Sequence, residues 1–303
     1  MIYFILSVLF TVCLYLIMRA YPKFGVDSFQ AIVFNYYACV ITGLILTPKL
    51  EIFRSVDFTA TGTIYTLLLG VMFVTVFLLI GLTAQKVSVT ASSLAANMSL
   101  VIPVLFGLFV FQNNNKVFTF FNYAGLVLAV VSLGLGAIKR NKSNSSLKSM
   151  LIGTTLFLPL LTFIGTGANN TLINYLTFTY YKPEQSTIFM IIACVGAALI
   201  GSVILICKLL FQNHKIQLKN LIGGFVLGVP NFLSLFFLLK ALQTYSNSAA
   251  FVFPIYNILT MLVSSVAAFL IYREKLNRLN QLGLLIAIIA ILLISYQELG
   301  IQF

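Results

Sequence analysis

The chain predicts an all-α membrane protein, with ten transmembrane helices in a five-plus-five inverted repeat. Three observations predict it. The 303 residues are 60% hydrophobic and 8% charged, against about 25% charged in soluble proteins. The apolar residues come in runs long enough to cross a bilayer core of roughly 30 Å, which takes about 20 helical residues. A constant offset of 158 positions also brings the punctuation of the second half onto that of the first.

The runs fall at 2–19, 29–47, 61–83, 88–111, 119–138, 150–172, 187–210, 220–241, 247–271 and 277–297. Each is continuous rather than alternating, which selects helices over barrel strands. The first, IYFILSVLFTVCLYLIM, has no positive segment before it and no small-residue cleavage site after it, so it reads as a retained helix and not a signal peptide. Phe10, Thr11 and Val12, ahead of Cys13, do not suit a lipoprotein cut. The stretch KRNKSNSSLKS, Lys139 to Ser149, is charged, rich in Ser and Asn, and without apolar periodicity. It divides the chain into a first five-helix repeat at 1–141, a polar linker at 142–149 and a second five-helix repeat at 150–303.

At the offset of 158, Gly70-Val71 meets Gly228-Val229, Gln85 meets Gln243, Ser88 meets Ser246, and Ala91 meets Ala249. Asn122 meets Asn280, and Gly125-Leu126 meets Gly283-Leu284. Five helices is an odd number, so the second set enters the membrane from the opposite side. Oppositely inserted halves characterise many secondary transporters, whose site lies near mid-membrane where the halves meet.

The remaining chemistry is sparse. The net charge of +12 does not mark a nucleic-acid binder, because the charges sit between the apolar runs, where they anchor helices at the membrane surface. Cys13, Cys39, Cys194 and Cys207 lie in apolar runs with no CxxC pair and read as small buried hydrophobes. His214 is the only histidine and lies in a polar linker, so no metal site, cofactor or catalytic triad is expected. A membrane-embedded enzyme would need paired carboxylates, a histidine cluster or an activated nucleophile within the spans, and the sequence has none. A receptor or scaffold would be expected to carry a large soluble loop or tail, and every loop is short.

Thirteen of the 18 Lys and Arg residues fall in loops after odd-numbered runs. The other five, Lys49, Arg54, Lys116, Lys182 and Lys240, fall after even-numbered ones. The positive-inside rule then places both termini outside the cytoplasm.

The segment SAAFVFPIYNILTMLVSSVAAFLIYREKLNRLNQLGLLIAIIAILLIS pairs a small-residue helix containing a proline with Glu274, a short polar turn and a helix containing Gly283. With the ten-run duplication, it resembles the drug/metabolite transporter superfamily, in particular the EamA-like transporters. The resemblance covers nearly the whole chain. The first half, FQNNNKVFTFFNYAGLVLAVV, keeps Gly125 but lacks the family's glutamate in the turn. The family is generally drawn with both termini inside, opposite to the charge count. The small multidrug exporters related to it carry a carboxylate in their first helix. Here the six acids, Asp27, Glu51, Asp57, Glu184, Glu274 and Glu298, all lie near helix ends or in loops. Simple proton exchange for cationic drugs is therefore disfavoured.

An unsatisfied amide in hydrocarbon costs several kcal/mol. Amides within the spans should face other helices, where such bonds average about 0.6 kcal/mol, or a wet cavity. Asn97, Asn169, Asn170, Asn231, Tyr256 and Asn257 fall on the fourth, sixth, eighth and ninth helices, which line the central cavity in the resembling family. They are the candidate substrate-binding set, with Asn169 and Asn170 in support. Asn35 is on the second, more peripheral helix. Pro103, Pro230 and Pro254 are candidate kinks, and Pro230 and Pro254 free backbone beside polar side chains. Lys240 reads as a snorkelling anchor or as an attractor of an anionic group.

The expectation is a secondary carrier in the cytoplasmic (inner) membrane, with a small molecule and the lipid bilayer as its partners. It moves a small polar or amphipathic metabolite, such as a hydrophobic amino acid, by alternating access. The alternatives are a polyspecific exporter of drugs or toxic compounds and a non-transporting membrane receptor or scaffold. Substrate, direction, coupling ion, oligomeric state and the side on which the termini lie are not legible in the chain, the charge count and the family habit disagreeing on the last.

Overall fold

The structure, a computed structural model, describes residues 2–47, 57, 59–109, 119–137, 154–182, 185–211, 215–244, 249–297 and 299–300. The expected linker at 142–149, the turn residues Gln112 to Lys116, Ser246 and His214 lie outside them. The described elements are helices: α1 (Ile2–Ala20), α2 (Ser28–Leu46), α3 (Thr61–Lys86), α4 (Val89–Met98), α5 (Val101–Phe109), α6 (Phe120–Ala137), α7 (Thr154–Tyr180), α8 (Ser186–Phe211), α9 (Leu218–Thr244), α10 (Ala249–Tyr272) and α11 (Arg278–Ile294), with a 3₁₀ turn at Tyr21–Phe24. Among the described residues, eight segments are long and apolar enough to cross a membrane, one of them spanning α4 and most of α5. The apolar α6 and α11 are shorter. The chain is a multi-pass, all-α membrane protein.

Its surface has the polarity of a body immersed in lipid. Phe178 is 93% exposed and Phe211 83%, while Asn35, Ser92, Ser93, Thr83 and Thr162 are fully buried. Apolar side chains need no shelter from hydrocarbon, whereas hydroxyls and amides do. The buried ones bond inward. Thr83 meets Thr162 at 2.7 Å, and Ser264 donates to Ser93 at 2.6 Å.

Contacts at the helix ends relate the directions of α1, α3, α6, α7, α10 and α11. The end of α1, the end of α3 and the residue pair after α10 meet on one face, through Arg19, Gln85 and Glu274. On the opposite face Thr66, near the start of α3, meets Tyr181 just after α7. Thr119, just before α6, meets Tyr296 just after α11.

The residues aligned by the 158-position offset make matching contacts. A Cβ on Gly125 of α6 would come 2.9 Å from the Ala290 carbonyl of α11. One on Gly283 of α11 would come 3.0 Å from the Ser132 carbonyl of α6, and Ser132 and Ala290 are themselves 158 apart. Asn122 donates to the carbonyls of Leu293 and Ile294, while Asn280 donates to those of Leu135 and Gly136. Gly70 of α3 packs backbone to backbone on Gly196 and Ala197 of α8, and Gly228 of α9 packs on Asn35 and Ala38 of α2. In each case only a missing side chain lets the helices approach so closely.

Two boundaries depart from the sequence reading. The run expected as one helix at 88–111 is broken after Met98. Pro103 offers no N–H to the carbonyl four residues before it, that of Ser99. Ile102 N–H takes that carbonyl at 3.0 Å instead, and the Ser99 hydroxyl turns back onto Ala96 at 2.6 Å. Helices α9 and α10, by contrast, run through Pro230 and Pro254 without interruption. Helix α7 continues to Tyr180 rather than stopping at 172, because nothing in Leu172 to Tyr180 breaks it and the next proline is Pro183.

Candidate functional site

A cavity of about 500 Å³ lies among α1, α2, α3, α4, α5, α7, α8, α9 and α10. Helices α6 and α11 contribute no described residue to its wall; they pack on each other instead. All six residues of the predicted set, Asn97, Asn169, Asn170, Asn231, Tyr256 and Asn257, line this one space, as does Pro103.

Local structure sets each group. Asn97 sits in the last turn of α4, where its amide donates to the Ser93 carbonyl at 2.6 Å. Tyr256 on α10 shares a 2.6 Å hydrogen bond with Thr11 on α1, which joins the first helix to the second half of the chain. Asn231 follows Pro230 on α9 and donates to Asn35 Oδ1 at 3.1 Å. Asn35 is itself completely buried and stands behind the wall, so it orients Asn231 instead of meeting a solute. Asn169 and Asn170 lie on α7, with Asn169 Oδ1 buried and without a partner.

Several lining groups are not in the predicted set. Thr11, Tyr15 and Tyr36 bring polar atoms from α1 and α2, and Thr166, Asn174 and Thr177 bring them from α7. Asn174 and Thr177 belong to the extra turns of α7 beyond 172. A helix run through to Pro183 would have placed them on the face of Asn170, because positions three and four apart share a face.

Among the described residues no Asp, Glu, Lys, Arg or His lines the cavity. Lys240 is exposed and outside the lining, with its ammonium 5.8 Å above the Phe236 ring. This fits the anchoring reading. The aromatic wall includes Phe73, Phe77, Phe232 and Phe253.

At one end the cavity stops at Met18, which is buried beneath a polar clasp. Arg19 Nε lies 3.4 Å from Glu274 Oε1, and an Arg19 guanidinium nitrogen donates to the Gln85 carbonyl. Gln85 donates to the Met18 carbonyl at 2.8 Å and Tyr272 to that of Leu16 at 2.6 Å. The Val89 N–H, at the start of α4, donates to both oxygens of Glu274 at 3.2 Å. At the other end the lining reaches Thr177, Ser186 and Leu242, near the opposite ends of α7, α8 and α9.

No family model matches the chain. An uncharacterized protein of Haemophilus influenzae (strain ATCC 51907 / DSM 11121 / KW20 / Rd) is 23% identical over 283 residues, covering 90% of each chain. A solved crystal structure of another protein aligns with a TM-score of 0.50 at 12% identity, covering 97% of this chain and 98% of that one. The latter is a likeness of fold alone.

Proposed function

We propose that the protein is a secondary carrier of the EamA-like kind in the cytoplasmic membrane. It has ten crossings in two oppositely inserted five-helix repeats, and it moves a small polar or amphipathic metabolite by alternating access. Support for the crossings comes from the two shorter apolar helices, α6 and α11, which pack along each other as a pair related by the 158-position offset. The matched contacts of Asn122 with Asn280 and of Gly70 with Gly228 support the repeat.

One observation carries the reading. Six amide and phenol side chains, drawn from both halves of the chain, face a single cavity among helices whose outer surfaces are apolar. Each such group would cost several kcal/mol in hydrocarbon without a partner. A solute passing through the cavity would find its hydrogen-bond partners there. The clasp at Arg19 and Glu274 closes one end, so the arrangement corresponds to a carrier facing the other way.

Uptake of radiolabelled solutes into proteoliposomes is the direct test, run over amino acids, sugars, nucleobases and nucleosides. Saturable uptake that weakens in Asn257→Ala is the expected result. Failure of every solute both to move and to raise the melting temperature would overturn the carrier reading. Unchanged transport in Asn257→Ala would remove that residue from the site.

A further inference from the structure

We propose that the cavity selects uncharged, planar solutes with a cyclic amide or amidine edge, namely nucleobases and their nucleosides, and rejects ions and zwitterions. This rests on the carrier reading and narrows its substrate class.

The electrostatics come first. The described lining holds no formal charge of either sign. Beyond Met18, Arg19 and Glu274 are engaged with each other. A solute with a bare ammonium or carboxylate would lose its hydration on entry and meet no counter-charge, a loss that dipoles of neutral side chains only partly restore. A zwitterionic amino acid suffers this at both ends. An uncharged solute does not.

Hydrogen bonding narrows the class further. The wall carries six asparagines, Asn97, Asn169, Asn170, Asn174, Asn231 and Asn257. A carboxamide presents an N–H donor and a carbonyl acceptor side by side. That pattern pairs with the donor and acceptor edge of a heterocyclic base, as asparagine does with adenine in nucleic-acid recognition. Three buried polar atoms of lining residues have no partner: Asn169 Oδ1, Thr166 Oγ1 and Tyr36 Oη. An unsatisfied buried group is costly, and each of these atoms is closed off even from water, so a solute in the cavity meets them when their side chains turn toward it. Thr166 and Asn169 lie three residues apart on α7, on one face of the helix.

Shape excludes the neutral polyols. Most of the lining is apolar, with phenylalanines on α3, α9 and α10. A sugar alcohol carries hydroxyls on every side and would leave many of them against phenyl rings. A flat base turns π-faces to the rings and its polar rim to the amides. A volume of about 500 Å³ lies within the usual range for pockets that enclose small organic ligands.

The test uses the full chain, purified in detergent for melting and reconstituted in proteoliposomes for uptake. The probes are uracil, adenine and uridine against leucine, mannitol and ethidium. Saturable uptake of at least one of the first three, a raised melting temperature with that same solute, and neither effect with the last three is the expected result. Asn169→Leu should weaken uptake about tenfold. Thr166→Val, which keeps the side-chain volume, serves as a second variant should the first fail to fold. Transport of leucine, mannitol or ethidium overturns the selectivity proposed here and leaves the carrier reading intact. Movement of none of the six, with no solute of the wider panel moving either, overturns both. Unchanged uptake in a folded Asn169→Leu and in Thr166→Val overturns the assignment of the unpartnered atoms to the solute.

Discussion

Arg19, near the end of α1, and Glu274, just after α10, form an ion pair at 3.4 Å at the Met18 end of the cavity. Glu274 also accepts from the first N–H of α4, where a helix N-terminus favours negative charge. Arg19→Ala should therefore loosen this end. A double-mutant cycle of Arg19→Ala with Glu274→Ala should return a coupling of about 1 kcal/mol, since both side chains are partly shielded from solvent. A cysteine placed at Met18 should react faster with membrane-impermeant thiol reagents in the Arg19→Ala background. An unchanged labelling rate would show that the clasp does not hold this end shut.

The glycine pairs predict a matched response to substitution. Gly70→Ala and Gly228→Ala each push a methyl into the backbone of the facing helix. Each should destabilise the protein by about 1–3 kcal/mol. Gly134 has no neighbouring atom within 4 Å of an added Cβ, so Gly134→Ala should leave stability unchanged or raise it by about 0.5–1 kcal/mol. Unfolding in mixed detergent micelles measures all three.

Asn122 and Asn280 each cap the neighbouring helix's last carbonyls. Asn122→Ala and Asn280→Ala should cost similar amounts, about 1–3 kcal/mol. Both also serve the start of their own helix: Asn122 Oδ1 accepts from the Thr119 N–H at 2.8 Å and Asn280 Oδ1 from the Asn277 N–H at 3.3 Å. A large disparity in either direction would show that the two seams are not equivalent.

Pro103→Ala restores a donor for the Ser99 carbonyl and should join α4 to α5. Removal of an interior proline recovers up to about 3 kcal/mol of helix stability. The expected pair of results is a higher melting temperature and slower uptake, since Asn97 and Leu100 at the break both line the cavity. A faster or unchanged uptake rate would separate the break from function.

Substrate affinity should be flat between about pH 5 and pH 8. No aspartate, glutamate or histidine is among the described lining residues. Isothermal titration at several pH values measures this. A break near pH 6 would reveal a titrating group acting on the site.

Much of the arrangement was legible in the chain, for a physical reason. Hydrocarbon tolerates few polar side chains, so each one within a span is informative, and the asparagines at 97, 169, 170, 231 and 257 all reach one cavity. The offset of 158 was readable because the residues it aligns, Gly70 with Gly228 and Asn122 with Asn280, are the ones that helix contact constrains most. The break after Met98 was hidden because the stretch from Val89 to Phe106, taken whole, carries no charge and is apolar enough to cross a membrane. Asn174 and Thr177 were missed because the sixth run was ended at 172, although no residue between there and Pro183 stops a helix. The role of Glu274 depended on Arg19 and Val89, whose nearness no local pattern shows.

The neutral lining has an electrical consequence. For a carrier of this form, switching the vacant site from one side to the other transfers no side-chain charge through the field, so the membrane voltage does no work on that step. With an uncharged cargo, the loaded step is equally indifferent. Net flux would then follow the concentration difference of the solute, unless an ion travels with it.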